Sequence, residues 1–297
     1  MTQACEWRAP LAGLFFAEDG FFASLALVPA RGLSRIYHSP GLVFLARSSE
    51  PIFNVPPVIM WLSAAMALIH GGRALLTQDQ DNLVLVWFAF IPARYDPAIA
   101  AIIDFPGGIG ADIWTFFTYA FLHAEIVHIL ANLVWLLAFG SAVAWRFGAL
   151  RFLLFFAVTS ALSAAAYLLF HADETVPVIG ASGAISGAMA AACRFVFADG
   201  GPLFMRGRDQ RAYQLPALPL KQALKNRGVV MFLVAWFLFN LLFGLSAITS
   251  GFTDATVAWE AHLGGFLAGL FLFRFFDPVP RTLPNVPLAP SNEGEET

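Results

Sequence analysis

Four polar side chains stand inside strongly apolar stretches, and together they have the makings of a hydrolase. They are Ser182 in "VIGASGAISGAMAAACRFVF" (178–197), His262 in "AHLGGFLAG" (261–269), and His128 with Asn132 in "HILAN" (128–132). A serine hydroxyl is a poor nucleophile until a base takes its proton, and imidazole is the side chain most often used for that. Ser182 is therefore the candidate nucleophile and His262 its candidate base. His128 and Asn132 are four residues apart, so a helix places them on one face, and both can donate hydrogen bonds. With the backbone N–H of Ser182 they make a candidate oxyanion hole for a tetrahedral intermediate. A helix starting at Ser182 adds partial positive charge at the same place.

Taken singly, each group has an ordinary structural role. A serine in an apolar helix caps it or bonds back to a carbonyl. A histidine or asparagine there is often a hydrogen bond between helices. Ser186 and Asn240 are read in that way. The catalytic reading rests on the joint pattern, which requires elements able to bring the four groups together.

Those elements are membrane helices. Of the 297 residues, 59% are hydrophobic and 12% charged, and the mean hydropathy is +0.70. A soluble domain carries roughly 25% charged residues, so too few charges remain to cover a water-facing surface. Apolar runs near the length needed to cross a bilayer recur along the chain, and an all-α polytopic membrane protein follows. Six spans are expected, at about 58–76, 125–144, 152–170, 181–197, 229–247 and 257–275. The segment 83–95 is too short to cross and suits an interface.

Residues 1–55 are apolar but carry Glu18 and Asp19 mid-stretch. Such a pair is costly in a bilayer, so the segment is expected to be interfacial or disordered. The Pro-rich, polar tail 278–297 is expected to be disordered and cytoplasmic. Cys5 and Cys193 imply no disulfide framework or metal cluster, and Cys193 reads as a small apolar residue. No cofactor, metal ion or nucleic-acid partner is expected.

Lysines and arginines set the orientation. Eleven of them (Arg146, Arg151, Arg194, Arg206, Arg208, Arg211, Lys221, Lys225, Arg227, Arg274 and Arg281) fall on one side of the expected spans, against Arg73 and Arg94 on the other. The eleven are placed in the cytoplasm. Spans two, four and six then start on the outer side, and all four candidate groups lie within about 10 Å of that surface. Glycines show how they could meet. Gly183, Gly187 and Ala191 recur every fourth residue on span four, and Ala261, Gly265 and Gly269 on span six. Small-residue stripes let helix backbones approach closely. One stripe begins just after Ser182 and the other just before His262, so packing them together sets hydroxyl beside imidazole.

These segments resemble the rhomboid family of intramembrane serine proteases. "GASG" (180–183) is similar to its Gly-x-Ser-Gly nucleophile motif, "AHLGGFLAG" to its Ala-His-x-Gly-Gly-x-x-x-Gly motif, and "HILAN" to its His-x-x-x-Asn, with "FTYAFLHAEIVHILAN" (117–132) continuing the likeness upstream. The resemblance implies a six-transmembrane-helix bundle forming a protease domain over 56–277. It implies hydrolysis of peptide bonds in single-span membrane proteins through an acyl-enzyme on Ser182, with His262 as base and then acid. The partners implied are single-span substrates and the lipid bilayer. With no further span before or after the six, the expected location is a bacterial inner membrane, the active site opening to the periplasmic side.

Three departures bear on the site, the first being Glu125 where a small residue is usual, a carboxylate near enough to His128 to be expected to raise its pKa. Where the family often has Trp-Arg in the first loop, this chain has Trp114-Thr115. Where an aromatic residue often follows the nucleophile by four and stacks on the base, it has Ser186. No group that orients His262 can therefore be named from the sequence. A soluble hydrolase is excluded, because the nucleophile elbow G-x-S-x-G lacks its second glycine, replaced by Ala184. A transporter is disfavoured by the lack of an internal repeat. The remaining alternative is a non-catalytic rhomboid-like protein that binds and routes client membrane proteins.

Overall fold

A computed structural model of the chain describes residues 55–203, 210–244 and 258–280. The expected N-terminal segment 1–55 and tail 278–297 fall almost wholly outside the described residues. Apart from one isolated bridge between Phe90 and Val178, the regular structure among the described residues is helical.

Helix α1 (Pro57–Arg73) starts with proline in its first turn, where the missing N–H costs no helical bond. Helix α2 (Gln78–Phe88) is opened by Thr77, whose side chain and that of Gln80 satisfy each other's backbone N–H in a capping box. Helix α3 (Gly108–Thr118) follows in the same connection. Helix α4 (Ile126–Phe147) contains a π-helical turn at Leu136–Gly140. It ends at Gly148, whose positive φ of 79° is one that glycine adopts at least cost. Helix α5 (Ala149–Leu168) begins at the next residue. Helices α6 (Ser182–Ala192), α7 (Arg227–Gly244) and α8 (Trp259–Phe276) complete the bundle.

Six of these helices (α1 and α4 to α8) fall on the six expected stretches. Two of them, Ile126–Phe147 and Ala149–Leu168, are long and apolar enough to cross a membrane by length and composition, and Arg227–Leu242 is a shorter apolar segment. Helix α6 is the main departure. The sequence predicts a span to Phe197, but the helix stops at Ala192. Its last turn tightens through bonds from the Arg194 and Phe195 N–H groups to the Ala191 and Ala192 carbonyls. Arg194 then bonds to a later segment, receiving the Leu218 N–H on its carbonyl and donating from its side chain to the Leu218 carbonyl. Gly183 to Ala192 are all buried. A helix enclosed by protein can give way to irregular backbone at membrane depth, because its polar groups meet protein and not lipid. The same enclosure accounts for its small side chains, which let neighbours close in from all sides.

Outward faces carry large apolar residues, including Trp61, Leu68, Val134, Leu154, Met231 and Phe271, all exposed. Polar residues lie inside: Asn132, Thr159, Ser160, Ser163, Ser186 and Asn240 are buried. Buried polar groups need partners, and several use carbonyls of their own or a neighbouring helix. Ser163 Oγ donates to the Ala261 carbonyl at 2.7 Å, tying α5 to α8, and Tyr119 OH donates to the Ser160 carbonyl at 2.9 Å.

At the far end of the bundle Arg146 is fully buried and bidentate to Asp277, with both contacts at 2.9 Å. It also donates to the carbonyls of Tyr213 and Leu215 and lies over the rings of Phe195 and Phe273. A buried ion pair is tolerable when most of its donors are used in this way, here four of the five guanidinium N–H groups. The clamp joins the ends of α4 and α8 to the 210–215 segment.

Candidate active site

Helix α6 packs chiefly against α8 and α5. The two small-residue stripes meet face to face, as their spacing predicts. A Cβ added at Gly265 would overlap the Gly183 carbonyl, and one at Gly269 the Gly187 carbonyl. On another side of α6, a Cβ at Gly183 would meet Ser163, and one at Gly187 would lie 2.8 Å from Thr159 Cγ2. Glycine is required at these positions because the opposing atoms are backbone, or side chains held in a packed core.

This contact sets Ser182, the first residue of α6, beside His262 in the first turns of α8. Ser182 Oγ and His262 Nε2 are 2.7 Å apart. Both residues are half-buried, so a hydrogen-bonded nucleophile and base remain within reach of a ligand. On its other edge the ring is held: His262 Nδ1 is 2.6 Å from Asn240 Oδ1 on α7. The sequence predicts Asn240 to be a helix–helix contact, which it is, but its partner is the candidate base itself. The signal available was a single amide in the otherwise apolar helix 227–244.

The loop before Ser182 is pinned from both ends. Phe90 and Val178 exchange backbone hydrogen bonds at 3.1 and 2.8 Å, and the Gly180 N–H donates to the Tyr119 carbonyl at 3.0 Å. Gly180 has a φ of 119°, which side chains disfavour. A Cβ there would lie 2.7 Å from His128 Nε2 and 3.7 Å from Ser182 Oγ. The imidazole tip of His128 and the candidate nucleophile thus flank the same glycine. Ser182 also occupies the first turn of its helix, where backbone N–H groups have no intrahelical acceptor.

Asn132 is buried one turn along α4 from His128. Its Nδ2 donates to the His128 carbonyl at 2.9 Å, which leaves one amide N–H, while its Oδ1 is buried without a partner. The structure therefore brings Ser182, His262 and His128 together, with Asn132 behind His128. Ser186 is buried a turn deeper in α6. Behind His128 stands His123, fully buried, its ring edge-on to His128 with centroids 5.1 Å apart. Burial, followed by the neighbouring His128, pushes the His123 pKa down to about 3, so this imidazole stays neutral at working pH. Its carbonyl is held by Arg73 Nη1 at 2.9 Å.

The first-loop departure also has a structural account. Trp114 stacks on Trp87 and donates to its carbonyl at 2.9 Å. Thr115 is buried, its hydroxyl bonding the Ala111 carbonyl and Tyr95 OH, both at 2.8 Å. The arginine of this loop is Arg94, which points inward to the Pro106 and Val86 carbonyls and lies over the Phe105 ring. Among the described residues no cluster of three or more His, Cys, Asp or Glu is placed to hold a metal ion.

An all-helical bundle with exposed apolar faces, enclosing a serine hydrogen-bonded to a histidine at a helix start, defines the class of this protein. The Rhomboid domain model matches residues 110–276, more than half of the chain, and the chain belongs to the rhomboid family of membrane proteins. Among curated relatives, it is 26% identical over 230 residues to the rhomboid protease GlpG of Salmonella choleraesuis (strain SC-B67), covering 76% of this chain and 64% of the relative. It is 25% identical, with the same coverage, to the protein of that name from Salmonella newport (strain SL254). The chain spans about 64% of the length of these relatives.

Proposed function

We propose that the protein is an intramembrane serine endopeptidase that cleaves single-span membrane proteins through a Ser182–His262 pair and an acyl-enzyme. The observation that carries this reading is the 2.7 Å contact between Ser182 Oγ and His262 Nε2 at a helix start. Ser182 donates its proton to Nε2 as Oγ attacks the peptide carbonyl. The resulting oxyanion takes hydrogen bonds from the Ser182 N–H, His128 and the free N–H of Asn132. His262 then passes its proton to the leaving amine, giving an ester on Ser182 that water hydrolyses by the same route.

The six helices α1 and α4 to α8 are read as six spans. The excess of lysine and arginine places the ends of the second, fourth and sixth in the cytoplasm. The site then opens to the outer side, the periplasm if the membrane is a bacterial inner membrane. That the relatives are named as proteases favours this reading over that of a non-catalytic client binder.

The test uses the full chain reconstituted in liposomes with a panel of single-span reporter proteins and a fluorophosphonate probe. Cleavage of a reporter and labelling of the wild-type protein, both lost in His262→Ala, are expected. Well-folded protein that neither cleaves nor takes the label would support the client-binding alternative.

The oxyanion assignment has its own expected result. If His128 and Asn132 act on the transition state alone, His128→Ala and Asn132→Ala each lower kcat with little change in KM. Removing one such donor from a soluble protease costs on the order of 10²–10³ in kcat. Here about 10–100-fold is expected for either, because two donors remain. Thermal melting checks the fold, and normal melting with full kcat would make both residues purely structural.

A further inference from the structure

A serine–histidine pair works only if the imidazole presents a lone pair to the hydroxyl. That requires the neutral ring to carry its proton on Nδ1, and something must hold it there. Asn240 lies on α7, 2.6 Å from His262 Nδ1 through Oδ1. A primary amide could face imidazole with either end, and the wrong end would be harmful. An amide N–H donating to Nδ1 would force the proton onto Nε2 and leave Ser182 without a base. In a soluble triad the corresponding acid-to-amide change lowers kcat by about 10⁴ through that wrong tautomer.

The local backbone settles which end faces the ring. Asn240 Nδ2 is 2.8 Å from the Trp236 carbonyl, one turn back on the same helix. A carbonyl oxygen only accepts, so the amide nitrogen must be the atom that faces it. Oδ1 is thereby turned to His262, where it too can only accept, and the proton must sit on Nδ1. The polarity is then fixed along the whole chain: Trp236 carbonyl, Asn240 amide, His262 imidazole, Ser182 hydroxyl.

The setting is rigid. Asn240 is buried. Trp236 stacks on Phe266 with ring centroids 4.5 Å apart, fastening α7 to α8 on the helix that carries His262. Asn240 also lines a small crevice whose other walls, Trp236, Phe237, Leu241, Trp259 and Leu263, are apolar. A neutral amide also avoids the cost of an ionised carboxylate at this depth.

Resting on the proteolytic reading above, we propose that Asn240 is the positioning residue of this site, holding His262 in the Nδ1–H tautomer and in the ring orientation that Ser182 needs. It does so in a chain where the position one turn after the nucleophile, Ser186, offers no aromatic face. The arrangement is a Ser–His–Asn relay across three helices. An amide plays the equivalent part in Cys–His–Asn proteases.

Two variants separate positioning from packing. Asn240→Leu keeps the volume and removes the acceptor, whereas Asn240→Asp, which burial favours in its protonated form, can donate its O–H to the Trp236 carbonyl and keep an oxygen acceptor toward Nδ1. Each is compared with wild type in liposomes for kcat, KM, the rate of fluorophosphonate labelling, and melting temperature. Because general-base catalysis contributes about 10²–10⁴-fold, loss of orientation alone is expected to lower kcat by about 10–100-fold in Asn240→Leu. KM should be little changed, and labelling should slow in parallel. Asn240→Asp is expected to recover most of that loss. Wild-type kcat and labelling in Asn240→Leu would overturn the assignment, as would a loss in Asn240→Asp as deep as in Asn240→Leu with both folded. If Asn240→Leu melts early, Asn240→Asp decides: activity near wild type supports the role, and inactivity of folded protein refutes it. Failure of the proteolytic reading is seen separately, as a wild-type protein that neither cleaves nor labels.

Discussion

Ser182→Ala is expected to reduce cleavage of a membrane-embedded reporter to background, and Ser186→Ala to leave most of it. The two serines are one turn apart on α6, and each is followed by glycine. Their surroundings differ. Ser182 opens the helix, is half-buried, and lies 2.7 Å from His262 Nε2. Ser186 is buried within the helix, where the backbone N–H groups are engaged in the helical ladder. An oxyanion formed on a Ser182 adduct would have free N–H groups beside it, and one on Ser186 would not. Removing the nucleophile of a soluble serine protease costs about 10⁶ in kcat, and a fall of that order exceeds the range of most membrane assays. The measurement is reporter cleavage at equal amounts of folded protein, with labelling by fluorophosphonate alongside. Equal losses in the two variants would overturn the choice of nucleophile.

Much of this site was legible because a bilayer makes polar residues conspicuous. Ser182, His128, Asn132 and His262 stand out among apolar neighbours, and the glycine stripes told which faces of α6 and α8 would meet. Their contact through Gly183 with Gly265 and Gly187 with Gly269 is the one the spacing called for. Asn240 was equally conspicuous, but its role was not. Whether an amide on α7 reaches a histidine on α8 depends on how those helices are rotated against each other, and α7 carries no small-residue pattern while the stripe of α8 faces α6. The end of α6 was missed for a related reason. Hydropathy continues through Phe197, whereas beyond the helix end Arg194 bonds through its carbonyl and its side chain to Leu218, a partner distant in sequence. In the sequence Arg94 shows only as a loop charge, and its inward bonds to Pro106 and Val86 follow from the fold of the first loop.

Gly265→Leu is expected to abolish activity while leaving every candidate catalytic side chain in the sequence. A Cβ at Gly265 would lie within the Gly183 carbonyl, and further atoms cannot be accommodated by rotating a side chain, because the obstacle is backbone. Helix α8 must therefore move away from α6. Gly183 is the residue after Ser182, and Gly265 lies three after His262, so the separation opens at the Ser182–His262 contact itself. A misplacement of about 1 Å can cost 10²-fold in rate, and a leucine calls for more. Gly265→Ala, adding only the Cβ, is expected to lose on the order of 100-fold on the same argument and to melt lower, since overpacking costs about 1–3 kcal/mol. Gly72→Ala on α1 is the control. Nothing lies within 4 Å of a Cβ at that glycine, so activity should be unchanged. Fluorophosphonate labelling should fall with cleavage in both Gly265 variants, because the probe needs the same activated hydroxyl. Wild-type cleavage by Gly265→Leu would mean that the two helices need not touch for Ser182 to find its base.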